Sequence, residues 1–325
     1  MVSIKDIASD IGVTPTTVSN ALGGKGRVSA DLVDRIRTRA SEMGYRPSLA
    51  GRALQSGRTG IVGLVMPDLT NPLFPRIAQT LSIAADARQL GILIADSRGS
   101  VEAQTQAFQR MLSLGVDGML VVPQKGTAPD PMPVPVAVIN TASDPQNAVS
   151  ADHGGGGALV ARHIADIGHR KVVILGADPV SEVQRDRIAG MTGALRADVD
   201  VDVVWGDKGL AQILSLINRG ATAVMTTSDL LALPVRSELM RADLLVPEQV
   251  SLTGFDNMAF SPVMHPALTT VAQNVEEIAT RALDIITAQI AGTPPQCLGE
   301  TVPMRLVVRQ STSIPAFATN RRPHR

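Results

Sequence analysis

The apolar positions of the chain change their period near residue 60. Before it they recur every three or four residues in short stretches. Ile4, Ile7, Ala8 and Ile11 share one helical face behind Ser3, a favourable N-cap, with Asp6 in the first turn. Gly12 ends that helix. Thr14 offers a second cap, and Pro15 takes the first helical position, where its missing N–H costs little. Val18, Ala21 and Leu22 supply the apolar side of this second helix, and Gly23, Gly24 and Gly26 break the chain. Ser29 can cap a third helix carrying Leu32, Val33, Ile36, Ala40 and Met43, which Gly44 stops.

After residue 60 short apolar runs alternate with helix-periodic segments. Strands are predicted over 61–66, 92–95, 118–122, 136–139, 172–175, 201–205, 221–226 and 250–255. Helices are predicted over 74–90, 102–114, 158–167, 188–195, 230–240 and 275–290. Repeated βα units imply parallel sheets covered by helices, and this length allows two such layers. Ligands of such sheets bind in the crevice beyond the carboxyl ends of the strands.

The first two helices, separated by Gly12-Val13-Thr14, read as a helix-turn-helix, whose second helix can lie in the DNA major groove. Thr16, Thr17, Ser19 and Asn20 on that helix are compact and polar. Asn can pair bidentately with adenine, and hydroxyls reach base edges or phosphates. Spacing alone leaves them readable as ordinary surface positions.

Charge changes the picture. The 325 residues carry 30 basic and 30 acidic side chains, which taken together argues against a nucleic-acid partner. Residues 1–58, however, hold nine basic residues against five acidic ones, a net +4, and the remainder carries −4. A basic head on an acidic body points to an anionic partner for the head. Cys297 is the only cysteine, which excludes an intramolecular disulfide framework and fits a reduced, cytoplasmic location. No apolar run approaches the ~20 residues of a membrane span, and the N-terminal residues do not form a signal peptide.

The ordered segments Ile4-Lys5-Asp6-Ile7-Ala8, Gly12-Val13-Thr14-Pro15-Thr16-Thr17-Val18-Ser19-Asn20-Ala21-Leu22, Val28-Ser29 and Gly44-Tyr45-Arg46-Pro47 resemble the head of the lactose/galactose repressor family of transcription regulators. The resemblance continues through Pro67-Asp68-Leu69-Thr70-Asn71-Pro72, Gly168-His169-Arg170-Lys171, Arg187-Ile188-Ala189-Gly190, Ser228-Asp229, Gly254-Phe255-Asp256 and Pro266-Ala267-Leu268-Thr269-Thr270, so that it spans about residues 3–313. It implies an α-helical helix-turn-helix head (1–47), a hinge (48–59) and an α/β, periplasmic-binding-protein-like body (60–325). That body would have two parallel-sheet subdomains, with crossovers near 140, 272 and 302, and would bind effector and dimerise.

By the same resemblance Pro15, Thr16 and Asn20 read bases, while Thr17, Ser19, Arg27 and Ser29 approach phosphates. Many members carry Arg where this chain has Asn20, which implies a different operator. Leu54 matches an apolar wedge that enters the minor groove, against the plainer reading of a linker residue. In the body, Asn71, Phe74, Arg187, Ser228, Asp256 and Gln273 match positions lining the effector cleft. Arg187 could instead be a surface residue paired with Asp186 or Glu182, Asp256 a cap at Asn257, and Phe74 core.

Several positions depart from the family pattern. Ser228 stands where Asn is frequent, the run Gly154–157 replaces longer polar side chains, and Lys208 replaces an aromatic residue. Pro129, Pro131, Pro133 and Pro135 prevent a helix after Val122 and favour an extended stretch. Pro234 falls near the start of a helix. The family's ligand therefore does not transfer, and a small polar effector is expected, a sugar or an anionic metabolite, held by hydrogen bonds and Arg187.

Enzyme chemistry finds no support. The five histidines show no metal-ligand spacing, and no nucleophile elbow or Walker loop occurs. Gly154–157 reads as a flexible helix start rather than a phosphate cradle. Asp152-His153 resembles a catalytic pair, but the sequence places no nucleophile beside it. The basic tail 321–325 reads as solvated.

The sequence thus points to a DNA-binding transcription regulator, a repressor by preference, with no cofactor and no metal. Its partners would be double-stranded DNA with a pseudo-palindromic operator, a small effector and a second copy of itself. A tetramer is left open, and no membrane partner is expected. It would be cytoplasmic, and nucleoid-associated when operator-bound. The alternatives are a ligand-binding protein with no DNA role, an α/β enzyme on the same fold, and a regulator whose cleft is degenerate and which senses a protein partner.

Overall fold

The computed structural model describes residues 2–24, 26, 28–45, 57–296 and 298–315. Arg27, Leu54 and most of the hinge, Cys297 and the basic tail lie outside the described residues. The chain divides into two compact units, Met1–Thr59 and Gly60–Arg325.

In the first unit α1 spans Ile4–Ile11, α2 Pro15–Gly23 and α3 Ala30–Glu42. Ser3 and Asp6 form a reciprocal capping box, and Gly12 closes α1 in the left-handed conformation at φ 78°. The Thr14 hydroxyl accepts from the Thr17 N–H at 3.1 Å and starts α2. Ser29 occupies the N-cap position of α3, but its side chain makes no capping bond. Ile7, Ala8, Val18, Ala21, Ile36 and Ala40 bury the shared core. Arg39 donates to both Asp10 carboxylate oxygens, at 2.6 and 2.9 Å, and fastens α3 to α1.

The second unit has two four-stranded parallel sheets. In the first, β1 (Ile61–Met66), β2 (Gly91–Asp96), β3 (Gly118–Val121) and β4 (Val136–Val138) lie in the order β2-β1-β3-β4. Helices α4 (Leu73–Asp86) and α5 (Val101–Ser113) cover it. The chain leaves through β5 (Val149–Ala151) and α6 (His153–Asp166). The second sheet comprises β6 (Lys171–Gly176), β7 (Asp200–Trp205), β8 (Ala223–Thr226) and β9 (Ser251–Thr253), ordered β7-β6-β8-β9. Between its strands run α7 (Glu182–Ala194), the short α8 (Gly206–Leu210) and α9 (Ile213–Asn218), and α10 (Asp229–Arg241).

After β10 (Thr270–Ala272) the chain returns to the first sheet as α11 (Val275–Ala291), whose Ile278, Ala282, Leu283 and Ile286 join Val62, Leu64 and Leu120 in one core. It then passes through β11 (Glu300–Val302), which pairs with β5, and β12 (Arg305–Val307), which pairs with β10. The connection between the two sheets is therefore made three times, and the carboxyl ends of β6, β8 and β9 feed the loops that carry the cleft residues.

Several details differ from the periodicity. The helix expected over 74–90 ends at Asp86, and Gln89 takes a positive φ of 58°. Three-residue strands such as β5 and β11 are too short to leave a period. Pro234 sits inside α10 rather than at its entry. Gly154–157 does open a helix, since α6 begins at His153, but the run is packed: Gly154 and Gly157 lie against the backbone of α7, and Gly156 against Met304, Phe255 and Val271. A Cβ on Gly157 would stand 2.1 Å from the Arg187 carbonyl, and one on Gly190 would stand 1.9 Å from the Gly154 carbonyl. The two helices touch main chain to main chain, an approach only glycine permits. This contact sets the height of Arg187 above the second sheet.

Gly190→Ala is expected to cost about 1–3 kcal/mol of stability, the range for overpacking. Gly193, on the same helix, has nothing within 4 Å of its Cβ position, so Gly193→Ala should be neutral or stabilising by about 0.5–1 kcal/mol. Urea unfolding of both variants checks this; equal effects would count against the tight helix contact.

Candidate functional site

Two surfaces carry the chemistry. The first is α2. Its apolar Val18 and Ala21 face the core, which leaves Pro15 and Thr16 exposed and Thr17, Ser19 and Asn20 half-buried along the outer side. The Thr17 hydroxyl lies 2.8 Å from that of Thr14, within the helix cap. Ser29 is exposed, at the N-terminus of α3. Arg39, one of the nine basic residues of this segment, is engaged by Asp10 and Glu42.

The second surface is built around Arg187 on α7. The residue is 4% exposed, which removes the reading of a surface residue paired with Asp186 or Glu182. Its Nη2 donates to Asp256 Oδ1 at 2.8 Å and its Nη1 to Asp256 Oδ2 at 3.3 Å. Nη1 also donates to the Thr227 carbonyl at 2.6 Å, and Nε to His153 Nδ1 at 3.2 Å. Four of the five guanidinium N–H donors are thus engaged. The guanidinium lies 4.1 Å from the centre of the Phe255 ring, a cation–π contact away from water.

Asp256, 5% exposed, also accepts from Gln273 Nε2 at 2.7 Å. Its backbone has φ +98° and that of Asn257 +49°, so the carboxylate is held in a turn that most residues avoid. Asp229 pins this turn. It accepts from the Met258 N–H at 2.7 Å, the Thr270 hydroxyl at 2.6 Å and the Ser261 hydroxyl. Burial pushes the Asp229 carboxyl up to about 6 against the lowering effect of those donors. His153 is buried, and desolvation followed by the Arg187 charge holds its imidazole well below the usual range. It is therefore neutral and can accept from Arg187.

The structure joins Arg187, Asp256 and Gln273 in one hydrogen-bonded cluster. Asn71 Oδ1 accepts the Leu73 N–H at 3.1 Å at the start of α4, and Phe74 packs partly into the core of the first sheet. Ser228 caps α10, accepting from the Leu231 N–H at 3.2 Å. Lys208 is exposed on α8, and Asp152 caps α6 through the Gly155 N–H at 2.8 Å, a structural task for a residue paired in sequence with His153.

The sequence reading assigned no role to Thr227, Phe255 or Arg76, and named His153 only as the neighbour of Asp152 in an apparent catalytic pair. Arg76, at the fourth position of α4, reaches from the first subdomain to the Asn257 carbonyl of the second at 3.3 Å. Lys125 likewise pairs with Asp178 at 3.2 Å, Asn140 donates to Glu182 at 3.1 Å, and Thr141 bonds Asp186. Arg76 left one signal. It is the only charged residue of α4 before Asp86, and it stands near the positive end of the helix dipole, where a cation is disfavoured.

Among the described residues no helix is long and apolar enough to cross a membrane, and no cluster of His, Cys, Asp or Glu is placed to hold a metal ion.

Comparison with known proteins gives two family matches. Residues 3–48 match "Bacterial regulatory proteins, lacI family", and residues 161–312 match "Periplasmic binding protein-like domain". The chain is 27% identical over 330 residues to the HTH-type transcriptional regulator DegA of Bacillus subtilis (strain 168), covering 96% of this chain and 98% of that protein. It is 29% identical over 342 residues to the HTH-type transcriptional regulator AscG of Escherichia coli (strain K12), covering 97% and 100%. The fold is similar to that of the lac repressor dimer bound to operator and the anti-inducer ONPF, with a TM-score of 0.83 at 22% identity over 96% of this chain and 99% of that one.

Breaking the buried ion pair should be costly. Asp256→Asn and Arg187→Met are each expected to lose about 3–5 kcal/mol, because each leaves the partner charge buried and unpaired. The double variant should lose clearly less than the sum of the two. Urea unfolding of the three proteins measures the coupling, and strictly additive losses would contradict it.

Proposed function

We propose that the chain is a helix-turn-helix transcription regulator of the LacI family rather than an enzyme, and that it is a repressor whose operator affinity is set by a small polar effector bound between the two subdomains of its body. The observation that carries the DNA side is α2 itself: a helix capped at both ends, with its apolar side buried and a row of compact polar groups facing out. Pro15, Thr16 and Asn20 read base edges, and Thr17, Ser19 and Ser29 approach phosphates. The uncapped Ser29 hydroxyl suits that task. Arg27 and Leu54 join them by resemblance alone, as a phosphate contact and a minor-groove wedge. In this reading residues 1–47 are the DNA-binding head, 48–59 the hinge by resemblance alone, and 60–325 the part that binds effector and dimerises.

Arg187, Asp256 and Gln273 form the floor of the effector site, with Asn71, Phe74 and Ser228 at its walls. Asp256 is suited to accept from ligand hydroxyls, and Gln273 and Ser228 to offer further donors. An effector that binds one degree of subdomain closure better than another shifts the population between DNA-competent and incompetent states. A homodimer presents two heads to a pseudo-palindromic operator, and the protein works in the cytoplasm.

Asn20→Ala tests the base-reading role. In competition binding on operators varied one base pair at a time, relative affinities at one position should compress by roughly tenfold or more, the value of a good bidentate contact. An unchanged ranking and spread of affinities would refute it.

A further inference from the structure

We propose that the effector of this chain carries a negatively charged group, a phosphate or a carboxylate, and that Arg76 rather than Arg187 is the residue that recognises it. The proposal rests on the effector-site reading above and names the class of molecule for that site.

Arg187 is chemically occupied. It faces a carboxylate with two contacts, its charge is matched, and one N–H remains. An anion arriving there would have to displace Asp256 or share the guanidinium with it, at the cost of placing two anions side by side in a dry site. The sequence-based assignment of an anion to Arg187 therefore gives way. What the pair offers a ligand is Asp256, an acceptor for hydroxyls.

Arg76 differs in each respect. It is half-buried on α4, its single hydrogen bond is a long one of 3.3 Å to the Asn257 carbonyl, and it has no carboxylate partner among the described residues. Arg309 meets the same residue, donating to Asn257 Oδ1 at 2.7 Å and to the Leu268 carbonyl at 2.7 Å, again with no ion pair among the described residues. The turn at Asp256-Asn257 thus gathers three guanidinium groups. Two carboxylates stand beside it: Asp256, matched by Arg187, and Asp229, whose oxygens are taken by the Met258 N–H and the Thr270 and Ser261 hydroxyls. Lys125, at another bridge between the subdomains, is already paired with Asp178. Positive charge is left over beside the turn, and Arg76 carries it on a planar fork that suits a phosphate or carboxylate.

The position is costly unless used. A cation near the N-terminus of a 14-residue helix opposes the helix dipole, while an anion beside it would gain from both. A ligand with hydroxyls on Asp256 and an acidic group on Arg76 would touch both subdomains at once. Closure and recognition would then be one event.

The test uses the full chain and matched pairs of neutral and acidic probes: glucose and glucose 6-phosphate, ribose and ribose 5-phosphate, glycerol and glycerol 3-phosphate, and glucose with gluconate. Thermal melting finds binders and calorimetry ranks them. At least one acidic member should bind, its neutral counterpart at least tenfold more weakly. Arg76→Gln should lose that tenfold for the acidic member and leave the neutral one unchanged, and Arg76→Lys should recover part of it. Binding of neutral members alone, binding of no acidic member, or equal acidic affinity in Arg76→Gln would overturn the proposal. Operator binding without probe, measured on the same preparations, reports separately on the regulator reading. DNA binding that survives while acidic probes fail sinks the ligand class and leaves the regulator standing.

Discussion

The body depends on one ion pair held away from water. Burying a guanidinium and a carboxylate together is expensive, and the attraction between them repays the desolvation only when the remaining donors and acceptors are also matched. Here they are. The Thr227 carbonyl and the neutral His153 take donors of Arg187, Gln273 supplies a further donor to Asp256, and the Phe255 ring covers the guanidinium face. The groups come from five places, so the pair can form only if α6, α7, the loop after β8, the turn after β9 and the strand end at β10 arrive together. The glycine contact between α6 and α7 and the Asp229 pin serve that convergence.

This arrangement separates two tasks that a single arginine would otherwise share. The matched pair gives the cleft a neutral, rigid centre with an oriented carboxylate. Charge recognition falls to Arg76, which comes from the other subdomain and therefore senses their separation. The head shows a similar division. Arg39 is consumed in holding α3 to α1, while α2 turns its compact polar side chains away from the core that Val18 and Ala21 fill. The neutral total charge of the chain conceals this, because the basic excess sits in the segment that meets phosphates and the acidic excess in the body.

Much of this was legible in the residues. Ser3, Thr14, Pro15, Gly12 and Gly24 are local signals, and they mark α1 and α2 where the structure has them, because capping depends on three or four neighbours. The long central strands and helices followed from their periods. The short strands β5 and β11 did not, since three residues carry no period and their pairing is decided by chain far away. Gly154–157 misled for the same reason: a glycine run looks flexible until the helix it packs against is known. In the cleft, Arg187, Asp256 and Gln273 were visible through resemblance, but their mutual bonding was not. The roles of His153 and Arg76 were invisible because they lie in contacts across 34 and 181 residues of chain.

The most direct measurement of the central claim is footprinting of the full chain on its own genomic DNA, with and without the small-molecule fraction of its cells, for the natural protein and for Asp256→Asn. The account predicts discrete pseudo-palindromic sites for both proteins, with occupancy that the small-molecule fraction changes at least tenfold for the natural protein and leaves unaltered for the variant. The absence of discrete sites, or an Asp256→Asn protein that responds as the natural one does, would contradict it.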